Sequence, residues 1–231
     1  MKLSQEREWL RSHIEAVWSL RIPPLERDQV EILYAKRLPP WQLFYAQLLD
    51  TATVIEVWPP GIAEEAREQL REQAHEALAT SHPMPAVLTR EVACTQQAAP
   101  QLDLATARSL ARVLDEEDRA LLHAFEPGSV EYYLEAHRQP LIGVIVDGRL
   151  LSVAHSSRRT ETACELGIET LPLARRKGYA LAATVLWSAL VAQEGLLPLY
   201  SAMLENLPSR RLAAAAGFRE FMHAVLIQKG R

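Results

Sequence analysis

The sequence predicts an α/β fold flanked by helices and preceded by a helix-rich α/β N-terminal region. Three observations predict it. Apolar runs of strand length alternate with helical runs through the second half of the chain. Asp147-Gly148 separates two of those runs, and this pair is the signature of a type I′ hairpin because both central residues must adopt positive φ. The turn Arg175-Arg176-Lys177-Gly178-Tyr179-Ala180 joins a strand-like run to a long apolar helix.

From the N-terminus, Glu6 to Leu20 reads as a helix with Trp9, Ile14 and Trp18 near one face. Asp28 to Leu38 repeats the pattern with Val30, Leu33 and Tyr34 until Pro39-Pro40 ends it, and Trp41 to Leu49 reads as a third, short helix. Thr53 to Trp58 alternates as a strand. Pro59-Pro60-Gly61 breaks it, and Ile62 to Ala79 is an amphipathic helix with Ile62, Ala66, Leu70 and Ala74 at i, i+4 spacing. Val87 to Thr95 is a further strand. The polar stretch Gln96 to Leu102 reads as the linker, which divides a first region, 1–103, from a second, 104–231.

In the second region Ala107 to Leu114 reads as a strand. The acidic run Asp115 to Asp118 opens a helix where the dipole favours negative charge, and Val130 to His137 is helical after Pro127-Gly128. Leu141 to Val146 and Arg149 to Ser156 are the two hairpin strands, Thr162 to Thr170 is a third, and Tyr179 to Ala192 is a buried helix. Leu197 to Leu204 is the next strand, Arg210 to Ala216 is a short helix closed by Gly217-Phe218, and a last strand follows.

Composition is that of an ordinary globular chain: 231 residues, 48% hydrophobic and 23% charged, enough for a substantial core. The net charge of -4 argues against general nucleic-acid binding. Cys94 and Cys164 are far apart without a Cys-x-x-Cys partner, and the histidines lack metal-ligand spacing, so a disulfide scaffold and a metal site are not expected. Charges at Glu6, Arg7, Glu15 and Arg21 exclude a signal peptide in Met1 to Arg21, and no apolar run reaches membrane-span length. A cytoplasmic protein without a membrane partner is the expectation.

The turn at 175–180 suits an anion. The first turn of a helix leaves its backbone N–H groups without acceptors, Gly178 permits close approach, and Arg175, Arg176 and Lys177 add charge-assisted bonds suited to a diphosphate. A solvated basic turn is the competing reading. Downstream, Asn206-x-x-Ser209-x-x-Leu212-Ala213-x-x-x-Gly217-Phe218 forms a second segment. Asn206 there reads as a helix N-cap, with Pro208 in the first turn.

With these two segments in order, the chain resembles the GNAT superfamily of acyl-CoA-dependent N-acyltransferases over roughly Thr106 to Lys229. Arg175, Gly178 and Ala180 match the family's pyrophosphate loop, and residues 206–218 resemble its second signature. Glu165-Leu166-Gly167-Ile168-Glu169-Thr170 is similar to a subgroup of two-part bacterial proteins with a divergent N-terminal region. The resemblance implies a GNAT-like mixed, splayed β-sheet, with acetyl-CoA or another short acyl-CoA as co-substrate. It also implies contacts to the acyl donor from Ile168, Glu169, Thr170, Arg175, Arg176, Lys177, Gly178, Tyr179, Ala180, Asn206 and Ser209. The implied reaction is transfer of the acyl group to a small-molecule or peptide amine by direct attack. A non-catalytic acyl-CoA-binding module is the alternative.

The chain departs from the family pattern at Ala213, where many members carry the tyrosine that protonates the leaving thiolate. Tyr200, Ser209 and Tyr179 are the candidate substitutes. Glu165 is the first candidate for a base, with a hydrogen-bonded structural glutamate as the rival reading, and Glu169 and His155 follow.

Overall fold

The computed structural model describes residues 2–80 and 85–229. The first part of the chain forms α1 (Lys2–Trp18), β1 (Leu20–Arg21), β2 (Gln29–Glu31), β3 (Tyr34–Ala35), β4 (Trp41–Leu48), β5 (Val54–Trp58), α2 (Glu64–Ala79) and β6 (Leu88–Gln96). Then come α3 (Leu104–Leu110), β7 (Ala111–Val113), α4 (Arg119–Phe125), α5 (Val130–Leu134), β8 (Ile142–Val146), β9 (Arg149–Arg159) and β10 (Ala163–Thr170). The chain closes with α6 (Tyr179–Gln193), β11 (Leu197–Met203), α7 (Leu207–Ala215) and β12 (Phe218–Gln228).

Three expected elements are corrected. Trp41 to Leu49 is not a helix but strand β4, paired on one edge with β5 and on the other with β12. Its residues are buried on both faces, so the run has no period-two alternation to distinguish it from a buried helix. Asp28 to Leu38 is likewise not helical: β2 adds in parallel to β5 and β3 pairs with β1, so tertiary pairing overrides a weak helical period. Ala107 to Leu114 begins as helix α3 and only Ala111–Val113 is strand. The Asp103 carboxylate accepts the Thr106 N–H at 2.9 Å, a helix-start signal just upstream of the apolar run.

Two compact units share the chain. The first comprises residues 1–94, 201–210 and 220–231, and the second comprises 95–200 and 211–219. In the first unit the strand order is β2-β5-β4-β12-β6. Its core joins Leu43, Tyr45, Trp58, Val225 and Ile227 to Ala74 and Ala77 of α2, whose small buried residues let the helix lie close to the sheet. Glu6, on α1, is buried with its carboxylate accepting the Asp50 N–H at 3.1 Å and the Thr51 hydroxyl at 3.2 Å, so the β4–β5 turn satisfies a charge that burial alone would penalise.

The second unit has the order β11-β10-β9-β8-β7, antiparallel except for the parallel pair β10/β11. The β8–β9 turn carries Asp147 at φ 49° and Gly148 at φ 73°, as a type I′ hairpin requires. Helix α6 is apolar nearly all round and is buried from Ala182 to Ser188, the pattern of a helix enclosed by protein rather than lying at the surface. Trp187 Nε1 donates to Ser156 Oγ at 3.2 Å, which fixes α6 against β9. Leu114, Leu122, Val130, Tyr133, Leu141, Leu150 and Val153 form the core between α4, α5 and the hairpin. The stretch read as a linker is hydrogen-bonded within this unit: Gln97 and Ala98 N–H donate to Gly217 O, and Gln101 N–H donates to Ala215 O.

Asp118 anchors the start of α4. It is buried, receives two bonds from the Arg112 guanidinium on β7 and one from the Asp115 N–H, and Arg112 is the main cause that holds its carboxyl below the ordinary range. A depressed folded-state pKa contributes stability above the unfolded value, and that stability is lost as pH falls through the folded value. We therefore expect the urea midpoint of the wild-type protein to fall on acidification below about pH 4. Asp118→Asn should start from a lower midpoint at pH 7 and lose less of it over the same range.

Candidate functional site

Strand β10 is held differently on its two edges. Along β9 it pairs continuously from Cys164↔Arg159 to Thr170↔Ser152, with one irregularity between Glu165 and Leu166. Along β11 it pairs only at Ala163↔Leu197, Cys164↔Pro198 and Glu165↔Leu199. The pairing ends at Glu165, and Pro198 brings no N–H to the ladder at its middle position.

Alternation decides which backbone groups this leaves open. The Leu171 N–H donates to Leu151 O of β9 at 3.0 Å, and Glu169 O accepts from Ser152 Oγ at 3.0 Å. Residues 167, 169 and 171 therefore direct their backbone polar groups at β9, and Ile168 and Thr170 direct theirs at the side where the β11 pairing has ended. Such groups need partners, from solvent or from a ligand, because an unpaired group removed from water costs about 1–3 kcal/mol. Of the three residues expected to offer backbone contacts, Ile168 and Thr170 are so placed, whereas the Glu169 carbonyl is engaged with β9. Thr170 Oγ1 also shares a hydrogen bond with Ser152 Oγ at 2.7 Å.

From Thr170 the chain passes through Leu171 and a single 3-10 turn, Pro172–Ala174, directly into the basic loop. Gly178 is the N-cap of α6 at φ 82°, with open space where a side chain would project, and Arg176 also takes positive φ, 61°. Among the described residues the N–H groups of Arg176 to Leu181 have no backbone acceptor, and the first helical bond is Ala182 N–H to Gly178 O. Arg175, Arg176 and Lys177 are exposed, with no acidic partner among the described residues, and Tyr179 and Ala180 are half-buried. N–H groups without backbone acceptors at the positive end of a fifteen-residue helix, preceded by three exposed cations, are groups that suit an anion.

The other expected residues are placed as follows. Asn206 Oδ1 accepts the Ser209 N–H at 3.2 Å, the capping geometry expected from the sequence, at the start of α7 in the first unit. Ala213 is buried and brings no hydroxyl. Tyr200 is buried with its ring edge against Phe218 at 5.6 Å between centroids. Glu165 is buried in the paired part of β10, and its carbonyl accepts the Ser157 hydroxyl at 3.1 Å. Burial pushes the Cys164 thiol up, against a role as a nucleophile.

One cluster was only partly read from the sequence. His155 lies opposite Gly167, and a Cβ at 167 would sit 2.3 Å from the His155 ring, so glycine is required for the imidazole to occupy its place. Tyr132 Oη lies 3.1 Å from His155 Nε2, and Glu169 Oε2 lies 3.5 Å from its Nδ1. Tyr133 donates to Glu126 Oε2 at 2.6 Å, and burial, followed by that bond, pushes its hydroxyl well above the ordinary range. The signals available were an isolated glycine inside a strand and an aromatic pair opening a helix. Gly167→Ala should displace the ring and cost about 1–3 kcal/mol, read as a lowered urea midpoint together with loss of native ring contacts in the aromatic NMR spectrum.

Residues 91–223 match the family model described as GNAT acetyltransferase. Among solved structures, an acetyltransferase from the GNAT family of Colwellia psychrerythraea is similar at 17% identity, covering 81% of this chain and 64% of its own, with a TM-score of 0.52. A protein of the GNAT family from Novosphingobium aromaticivorans is 23% identical over 65% of this chain and 72% of its own, TM-score 0.48. A GCN5-related N-acetyltransferase-like protein from Streptococcus suis is 16% identical over 74% and 70%, TM-score 0.48. Among curated proteins none matches the chain.

Proposed function

We propose that this chain, which belongs to the GNAT acetyltransferase family, transfers an acetyl or other short acyl group from acyl-CoA to an amine. The observation that carries the reading is the early end of the β10–β11 pairing, next to a cationic helix N-terminus reached from the same strand. In this reading the open backbone groups of Ile168 and Thr170 bind the amide-bearing arm of the acyl donor. The N–H groups around Gly178, with Arg175, Arg176 and Lys177, bind its diphosphate. Both subsites follow one another along a single stretch of chain, which holds an extended ligand in one register.

The acceptor amine then attacks the thioester carbonyl directly while both substrates are bound. No acyl-enzyme is invoked: Cys164 is buried with its thiol pushed up, which argues against an acyl-cysteine. An amine that arrives as ammonium needs a proton acceptor on the face of β10 shared by Glu165, Gly167 and Glu169. Glu165 and the His155 cluster are the two candidates there. Ala213 favours a second reading, a module that binds acyl-CoA without turning it over, because no hydroxyl stands at that position to protonate the thiolate.

Gly178→Asp places a negative side chain at the proposed anion site, and we expect it to weaken CoA binding in calorimetry at least tenfold, about 1.4 kcal/mol. The urea midpoint should be lowered by the roughly 1 kcal/mol strain of a non-glycine residue at φ 82°, a loss that Gly178→Asn shares without the added charge. Equal affinity in the wild type and Gly178→Asp would remove the loop from the binding site. A thiol-release assay with acetyl-CoA and a panel of polyamines, amino acids, aminoglycosides and peptide N-termini should find at least one acceptor. Tight CoA binding with no turnover on any amine would establish the binding-module reading.

A further inference from the structure

His155 is 1% exposed, yet groups from three elements converge on it. From β10, Gly167 makes room for the ring and Glu169 brings a carboxylate oxygen to 3.5 Å from Nδ1. From α5, Tyr132 brings its hydroxyl to 3.1 Å from Nε2, and both Tyr132 and Tyr133 set their rings edge-on to the imidazole, with centroids 5.4 and 5.3 Å away. The Tyr133 hydroxyl is turned to Glu126, so it does not compete for the imidazole. Arg138 lies over the Tyr132 ring at 3.9 Å and also donates to Glu135 and to the Ser157 carbonyl, which holds the ring from outside.

The three polar groups differ in exposure, and the order is informative. Tyr132 is 37% exposed, and the Glu169 side chain is 46% exposed. The imidazole between them is closed off from solvent. Nε2 is partnered by the Tyr132 hydroxyl, whereas the Glu169 oxygen at 3.5 Å makes no hydrogen bond to Nδ1, so that buried nitrogen stands without a hydrogen-bond partner, a cost that packing alone does not explain. An acid–base group hydrogen-bonded to a histidine with a carboxylate beside its other nitrogen is an arrangement that can move a proton away from a reacting atom. Glu165 differs in place, being buried in the part of β10 that both neighbouring strands cover.

We propose that Tyr132 contacts the acceptor amine and that His155, with the Glu169 carboxylate beside its unpartnered Nδ1, is the positioning residue that takes the amine's proton; this rests on the acyl-transfer reading above. The neutral imidazole carries its proton on Nδ1, facing Glu169, and accepts the Tyr132 O–H at Nε2. A substrate ammonium donates a proton to Tyr132 Oη as the Tyr132 proton passes to Nε2. The phenol is regenerated, the imidazole becomes imidazolium beside the Glu169 carboxylate, and the amine is left with a free electron pair. That pair forms the N–C bond to the thioester carbonyl carbon, the C–S bond breaks with its electrons staying on sulfur, and the thiolate takes the second proton lost by nitrogen. The imidazolium releases its proton to solvent before the next turnover.

The test combines two measurements on the full chain. With acetyl-CoA and an amine found in the panel, Tyr132→Phe should lower kcat about 100-fold, with the KM for acetyl-CoA unchanged. His155→Gln keeps an acceptor for the Tyr132 hydroxyl but cannot carry the proton, so it should lower kcat and abolish the fall of kcat/KM with acid. Glu165→Gln should leave that acid limb in place. An acid limb retained in His155→Gln and lost in Glu165→Gln overturns the proposal, as does Tyr132→Phe with wild-type kcat. Nitrogen-15 NMR of the imidazoles, with the His155 signals assigned from their absence in His155→Gln, reads the same arrangement without any acceptor. The Nδ1–H tautomer, lost or mixed in Glu169→Gln, is expected, and the Nε2–H tautomer overturns the relay. If no amine is acetylated, the acyl-transfer reading fails while the NMR result still decides whether the relay is built as described.

Discussion

The interaction on which the second unit depends is the backbone pairing of β10, complete along β9 and interrupted along β11. Continuous pairing on one edge fixes the strand's register, and with it the direction of every polar group on the other edge. A strand in which both ladders frayed would offer the same atoms without a defined geometry. The hairpin β8–β9, the apolar helix α6 bonded to Ser156, and the core under α4 and α5 all hold β9 in place beside β10. Orientation of this kind is prepaid in folding, and a ligand that fits gains from it without further ordering of the chain.

The same register places chemistry as well as binding. Side chains alternate along β10, so Glu165, Gly167 and Glu169 share one face, and the cross-strand pairing puts His155 against Gly167 on that face. The missing Cβ at 167 is therefore a structural requirement for the imidazole cluster and not a point of flexibility. Gly178 has the opposite character: no neighbour crowds it, and its role is the positive φ that turns the chain into α6 with N–H groups pointing outward. Two glycines eleven residues apart thus do different work, one by volume and one by dihedral angle.

Much of the second unit was legible in the sequence because its signals are local. Asp147-Gly148 dictates a hairpin through dihedral angles alone, the run from Tyr179 is too long and apolar to be anything but a buried helix, and Gly178 between a strand-like run and that helix marks a turn into the helix N-terminus. Asn206 was readable as a cap for the same reason. The first unit was less legible. Trp41 to Leu48 is buried on both faces, which erases the alternation that marks a strand, and β2 and β3 are short pieces whose conformation is set by partners distant in sequence. Tyr132 escaped notice because its contact is with His155, 23 residues away in sequence. The stop in the β10–β11 ladder was legible only through a family resemblance, since no residue type announces it.

The central claim is that an acyl donor occupies the edge of β10 that β11 leaves open. Amide hydrogen exchange with and without CoA tests it directly, residue by residue. Binding should slow exchange at Ile168, Thr170 and the N–H groups from Arg176 to Leu181, while Gly167 and Glu169, already turned to β9, change little. Slowed exchange confined to residues 1–94, with the β10 edge and the Gly178 turn unchanged, would contradict the account.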